Sequence, residues 1–136
     1  MAGKKSIVWD PTQATAEDDK AFEAWTAEAE EEAIELAASL ADVPCIIIEG
    51  RILAGRFPDG EIIKTPLDFS VADLEAITAE HDNPVDQISA LLVRLGSEKT
   101  AEALKKQDLS SVVIYAEKFF DTFSRVAQVA LGKRLK

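Results

Sequence analysis

Asp108-Leu109-Ser110-Ser111-Val112-Val113-Ile114-Tyr115-Ala116-Glu117-Lys118-Phe119-Phe120-Asp121-Thr122-Phe123, continuing through Ser124-Arg125-Val126-Ala127-Gln128-Val129-Ala130-Leu131, is the stretch that decides the fold. It contains neither Gly nor Pro, and Val112, Val113, Ala116, Phe119, Phe120, Phe123, Val126, Ala127, Ala130 and Leu131 recur at three- and four-residue steps. That period belongs to one face of a helix. The face is wide and aromatic, so the spacing predicts a long helix, opened by Asp108 or Ser110, at the centre of the core. Its partners must come from the sequence upstream.

Working back from that helix, Glu98 to Lys106 reads as a short helix with Ala101 and Leu104 inward. Asn83-Pro84 is a helix start, with Asn83 as cap and Pro84 at the first helical position, and Val85, Ile88, Leu91, Leu92 and Leu95 follow up to Gly96. Ser70 or Asp68 caps a further helix from about Val71 to Glu80 that turns Val71, Leu74 and Ile77 to one side. Before it, Cys45-Ile46-Ile47-Ile48-Glu49 has the β-branched enrichment of a strand. Arg51 to Phe57 and Glu61 to Lys64 flank Pro58-Asp59-Gly60, a hairpin signal. Two or three strands are marginal alone, so this sheet must lay one face on the helices. Gly50 and Gly55 are read as turn and bulge positions.

From Thr15 to Ala41 the chain is rich in Ala, Glu and Leu, again without Gly or Pro, and Phe22, Trp25, Ala29, Ala33, Leu36 and Leu40 keep helical spacing. This predicts one acidic amphipathic helix with a narrow stripe. The expected fold is therefore α+β and mostly α: an acidic N-terminal helix, a small antiparallel sheet, then four helices ending in the long core helix. Residues 1–42 form an arm, loose over residues 1–14, followed by the acidic helix. Residues 43–136 form a single domain with a short basic C-terminal tail.

The charge is unevenly placed. Of 25 acids, eleven lie between Asp10 and Asp42 against one base, Lys20, and the rest of the chain has fourteen of each sign. The whole formal charge of −10 thus falls on one quarter of the length, while Lys118 to Lys136 has five bases and one acid. An acidic surface of this kind repels phosphate backbones, so no nucleic-acid partner is expected. Apolar runs such as Ile46-Ile47-Ile48 fall far short of a bilayer span, and Ile7-Val8-Trp9 is too brief for a secretory h-region, so neither membrane insertion nor export is expected.

Tests for chemistry mostly fail. One cysteine and one histidine cannot build a disulfide or a Cys/His zinc cage. Cys45 reads as a small apolar residue and His81 as a solvated loop residue. Asp82 and Asp86 have a spacing routine on wet helices. Gly50-Arg51-Ile52-Leu53-Ala54-Gly55-Arg56-Phe57 has the glycine spacing of a P-loop but lacks its Lys-Ser/Thr. Phe119, Phe120 and Phe123 read as core. No catalytic residue, metal or cofactor is expected. The acidic helix is the one feature a core does not require. Its like charges repel by a few tenths of a kcal/mol per pair at four-residue spacing, and it suits docking to another polypeptide. Phe22, Trp25, Leu36 and Leu40 would be the apolar contacts, and Glu28, Glu31 and Glu32 the charged ones.

The order of these features is familiar. The hairpin Arg56-Phe57-Pro58-Asp59-Gly60-Glu61, then Pro66-Leu67-Asp68-Phe69-Ser70, Leu74-Glu75-Ala76-Ile77, Asp82-Asn83-Pro84-Val85-Asp86-Gln87 before Leu91-Leu92, and Ala116-Glu117-Lys118-Phe119-Phe120 resemble tail assembly chaperones of long-tailed phages of actinobacteria. The likeness covers roughly Arg51 to Lys133. It implies a non-enzymatic factor that binds the tape measure protein, keeps it soluble and helps recruit tail tube subunits. Such a factor would act in the host cytoplasm during assembly and be missing from the mature virion. Self-association is left open. Genes of this family commonly make a longer product by frameshifting near the end of the first frame, and Leu131-Gly132-Lys133 is compatible with a slippery heptamer. Two rival readings are a structural virion protein, such as a small capsid or head-to-tail connector subunit, and an acidic interaction or inhibitor module.

Overall fold

The computed structural model describes residues 15–134; the arm expected over residues 1–14 lies outside them. The elements are α1 (Ala16–Ala24), α2 (Ala27–Ala41), β1 (Cys45–Ile48), β2 (Ile52–Arg56), β3 (Ile62–Pro66), α3 (Val71–Glu80), α4 (Pro84–Arg94), α5 (Glu98–Lys105) and α6 (Leu109–Arg134). This is the expected α+β, mostly α class, with a three-stranded antiparallel sheet in the order β1-β2-β3 and a long last helix. The chain divides into two compact units, Met1–Leu36 and Ala37–Lys136.

In the first unit the single acidic helix of the sequence reading is two helices. Trp25 is extended, with φ −71° and ψ 131°, and the Thr26 hydroxyl accepts the Ala29 N–H at 3.0 Å. A threonine oxygen competes for backbone donors and is favoured at N-caps, so Thr26 ends one helix and starts another. Thr15 opens α1 the same way, in a capping box with Asp18.

The second unit follows its local signals closely. Ser70 and Asp73 form a capping box on α3, and Asn83 caps α4 with Pro84 in its first turn. Helix α4 ends at a Schellman motif. Ser97 N–H reaches Leu92 O at 2.8 Å, and Gly96 N–H reaches Val93 O at 3.0 Å. Gly96 has φ +85°, which its lack of Cβ makes inexpensive. Arg94 in turn ties α4 to the start of α3 through Asp73, at 2.6 Å. That guanidinium and the Ser70 N–H hold the Asp73 carboxyl below the usual carboxylate range.

The sheet lays one face on the helices. Leu53, Phe57, Ile63, Thr65 and Leu67 are sealed, and they meet Ile77, Ile88, Leu91, Leu92, Ala101, Leu104, Val112, Tyr115, Ala116 and Phe119 in one core. Phe69 closes the far side by stacking on Phe123, with centroids 4.7 Å apart. Gly55 does not mark a bulge: Cys45, Gly55 and Ile63 lie in unbroken register across the three strands. It is small because Tyr115 of α6 passes directly over it. Between β1 and β2, Glu49 has φ +54°, a left-handed conformation that β-carbon sterics disfavour by about 1–2 kcal/mol. Glu49→Gly is expected to raise the stability of this unit by roughly 0.5–1 kcal/mol. A denaturant midpoint at or below the wild-type value would contradict it.

Two further expectations fail here. Val71 is exposed rather than inward. The stripe on α6 stops early: Phe119 is sealed, Phe120 and Phe123 are half-buried, and Val113 and everything from Val126 to Leu131 is exposed. From Val126 onward the reason is length, while the exposure of Val113 in the first turns has no such account. At 1.5 Å per residue α6 runs about 39 Å, more than twice α4, so its last turns overhang the core.

Candidate functional site

The chemistry-bearing side chains named from the sequence do not converge. Cys45 is half-buried with its Sγ donating to Val43 O at 3.3 Å, and burial pushes the thiol up, away from the thiolate a nucleophile needs. His81 ends α3; its carbonyl accepts from Gln87 Nε2 at 2.8 Å. The imidazole lines a groove of about 540 Å³ between α3 and α4 together with Asp86, Arg94 and Lys105. Asp86 is used locally, accepting from Asn83 Nδ2 at 2.8 Å and giving its own N–H to Asn83 Oδ1 at the cap of α4. Asp82 is exposed. Among the described residues no group of three or more His, Cys, Asp or Glu is placed to hold a metal ion, and no helix is long and apolar enough to cross a membrane.

The residues expected to dock have a different character. In the first unit Phe22 is 82% and Trp25 53% exposed. With Ala21 these two rings line an open hollow of about 280 Å³. Leu36 is 60% exposed. Glu28, Glu31 and Glu32 are exposed on the same helix and, three and four residues apart, share one face of it. Leu40, at the start of the second unit, is 67% exposed. The sequence reading overlooked Ile34, also exposed on α2, and Ile46 and Ile47 on β1.

Within the second unit, a set of polar ties from α6 fixes the chain where α2 ends. Ser111 Oγ, buried, donates to Ala41 O at 2.8 Å. Two helical turns on, Lys118 Nζ donates to Val43 O at 2.7 Å and to Asp42 Oδ1 at 3.1 Å. Both groups reach the C-terminal end of α2, where unsatisfied carbonyls and the helix dipole favour a donor and a cation. The hydrogen bond from Lys118 holds the Asp42 carboxyl below the usual carboxylate range. A lowered folded-state value means that this pair stabilises at neutral pH and is lost as the pH falls through it. Lys118→Met is expected to cost about 1 kcal/mol at pH 7, kept modest by solvent screening. The deficit should shrink at pH 3 without vanishing, because the Val43 bond does not titrate with Asp42. Urea melts at the two pH values would show this, and an unchanged deficit would assign the whole effect to Val43.

Among the described residues the side chains named for chemistry stay apart, and the surface of the first unit is exposed, acidic and aromatic. No family model, no curated protein and no solved structure matches the chain.

Proposed function

We propose that this protein is a phage tail assembly chaperone, a non-enzymatic factor that binds the apolar tape measure protein, keeps it soluble and helps recruit tail tube subunits. The observation that carries the reading is the composition of the first unit's surface. Phe22, Trp25 and Leu36 are available to an apolar client, and nine acids against one base between residues 15 and 36 give the coated complex a strong negative charge. Coated complexes of like charge repel one another and stay dispersed. The resemblance of Arg51 to Lys133 to this class supports the same reading.

The test is co-expression with a phage tape measure protein. Wild type should hold that protein in the soluble fraction and be retained on it. Trp25→Ala with Leu36→Ala should melt like wild type, since both side chains are exposed, yet lose most of the retained client. Equal retention by the variant would remove Trp25 and Leu36 from the interface. An insoluble tape measure protein in the presence of wild type would end the chaperone reading. Finding the chain at fixed copy number in purified particles would favour a structural virion subunit instead.

A further inference from the structure

The sheet has two edges, and the chain treats them differently. Edge strand β3 carries Lys64 and ends at Pro66, two of the devices that keep an edge from pairing further. Edge strand β1 is Cys45-Ile46-Ile47-Ile48, with no charge, proline or bulge inside it. The directions of its hydrogen bonds follow from the register. Arg56 N–H reaches Pro44 O at 3.0 Å, so in the alternation of an antiparallel ladder the backbone groups of Ile46 turn toward β2 as well. Cys45 and Ile47 therefore turn theirs outward, two N–H and two C=O groups along an edge that no other described strand covers. Val43 O, next on the same side, is already taken by Lys118 Nζ at 2.7 Å.

Beside that edge a floor is already in place. Cys45, Ile47 and Leu53 with Lys118, Thr122 and Arg125 line a hollow of about 480 Å³, and Ile47 with Val126, Val129 and Lys133 lines the next, of about 510 Å³. The two share Ile47, Thr122 and Arg125, so they form one trough between the edge and the end of α6. Ile47 stands opposite Leu53 on the core side of the sheet, yet it is 48% exposed and Leu53 only 2%. Leu53 has a strand on each side, and Ile47 has one on a single side. Arg125 and Lys133 border the trough and form no ion pair among the described residues; the acid along it is Asp121. We propose that β1 takes up a fourth strand from another protein, an extended segment that is apolar where it meets Ile47, Val126 and Val129 and carries carboxylates where it passes Arg125 and Lys133. Its backbone pairs with Cys45 and Ile47, while the floor and the borders select its side chains. A helical partner satisfies its own backbone and has nothing to offer the four edge groups, which is why the occupant is an extended one. The formal charge of −10 works against such a partner at long range, so the selection rests on the two local cations. This inference does not depend on the chaperone reading, whose client meets the first unit; either fails with the other intact.

The probe is a labelled peptide of alternating valine and threonine with glutamates at both ends. It is added to the full-length protein and followed by fluorescence anisotropy and backbone amide NMR. On binding, the amides of Cys45 and Ile47 should shift and become protected from exchange. Lysine ends in place of glutamate should weaken binding about tenfold at low salt, and molar salt should close most of that gap. A proline at the centre of the peptide should abolish binding, because it interrupts the new ladder. Arg125→Glu with Lys133→Glu should invert the preference in favour of the lysine-ended peptide; both positions are exposed, and an unchanged melting curve checks the fold. Ile47→Pro removes an outward N–H and leaves the pairing with β2, so it should lose both peptides alike. Should it fail to fold, the charge variant decides alone. Equal affinity for the two peptides at low salt overturns the proposal, as does no binding at millimolar peptide or a response confined to Phe22 and Trp25. Cys45 and Ile47 amides already protected in dilute, peptide-free protein would show the edge taken by the chain itself. Protection that grows with protein concentration would show it taken by a second copy. Either result also overturns the proposal.

Discussion

Tyr115→Ala is expected to cost the second unit about 3–5 kcal/mol, the range for deleting a sealed aromatic side chain. That is a large share of the 5–15 kcal/mol that holds a typical domain folded. Tyr115 is fully buried, and its ring packs on Phe57 with centroids 5.3 Å apart. Its hydroxyl is the polar centre of the interior: 2.7 Å from Thr65 Oγ1, 3.1 Å from Leu53 O and 3.2 Å from Ile63 O. One side chain from α6 thus joins β2 and β3 through both its ring and its oxygen. Truncation leaves a void and strands the Thr65 hydroxyl. Tyr115→Phe separates the two effects, retaining the ring and costing about 1–3 kcal/mol for the polar groups left behind. A further signature follows from ionisation. Burial pushes the Tyr115 phenol well above its ordinary value. A raised folded-state value means that its contribution is whole below about pH 10 and is lost as the pH rises beyond that, where only the unfolded chain ionises freely. Wild type should therefore weaken in alkali, and Tyr115→Phe should weaken less steeply. Denaturant titrations from pH 8 to 11 read both slopes; parallel curves would mean that the hydroxyl is wet.

Gly55→Ala should be nearly as instructive, although it adds a single methyl. A β-carbon built at Gly55 lies 2.7 Å from both Cδ1 and Cε1 of Tyr115 and 2.9 Å from Cγ1 of Val43. Neither neighbour has room to yield, because Tyr115 and Val43 are both sealed. The expected loss is about 1–3 kcal/mol from overpacking alone, at a strand position where alanine would otherwise be neutral or better. The proof of mechanism is non-additivity. In a Tyr115→Ala background the new methyl enters the vacated space, so the same substitution should cost little or even stabilise. Equal costs in both backgrounds would show that the strand, and not the ring, resists the methyl.

Most of the second unit was legible because its boundaries rest on local chemistry. Ser70, Asn83-Pro84 and Gly96 each satisfy or free a backbone group within a few residues, so the sequence shows where α3 and α4 begin and where α4 ends. The misreadings concern longer range or competing signals. Gly55 reads as a bulge from sequence because its true neighbour, Tyr115, lies sixty residues on. Tyr115 itself was omitted from the stripe although it follows Val112 by three residues, because a lone hydroxyl does not advertise that two strands await it. The break at Thr26 was hidden by the high helix propensity of the Ala and Glu on both sides. Of the residues proposed to dock, Phe22, Trp25, Leu36 and Leu40 were readable as a narrow stripe at helical spacing. The exposed end of α6 was not, since apolar periodicity looks the same whether the facing element is present or has ended. Comparing helix lengths would have found it: nothing else in the unit is long enough to cover the end of α6.

The ties at Ala41, Asp42 and Val43 have a mechanical meaning. Tension arriving from the N-terminal side meets α6 before it meets the sheet, because Ser111 and Lys118 grip three consecutive residues ahead of β1. The pull is then shared by contacts that must slip together across the helix, instead of peeling β1 from β2 one hydrogen bond at a time. A chain rooted in this way can be pulled at its root while the sheet beyond it stays closed.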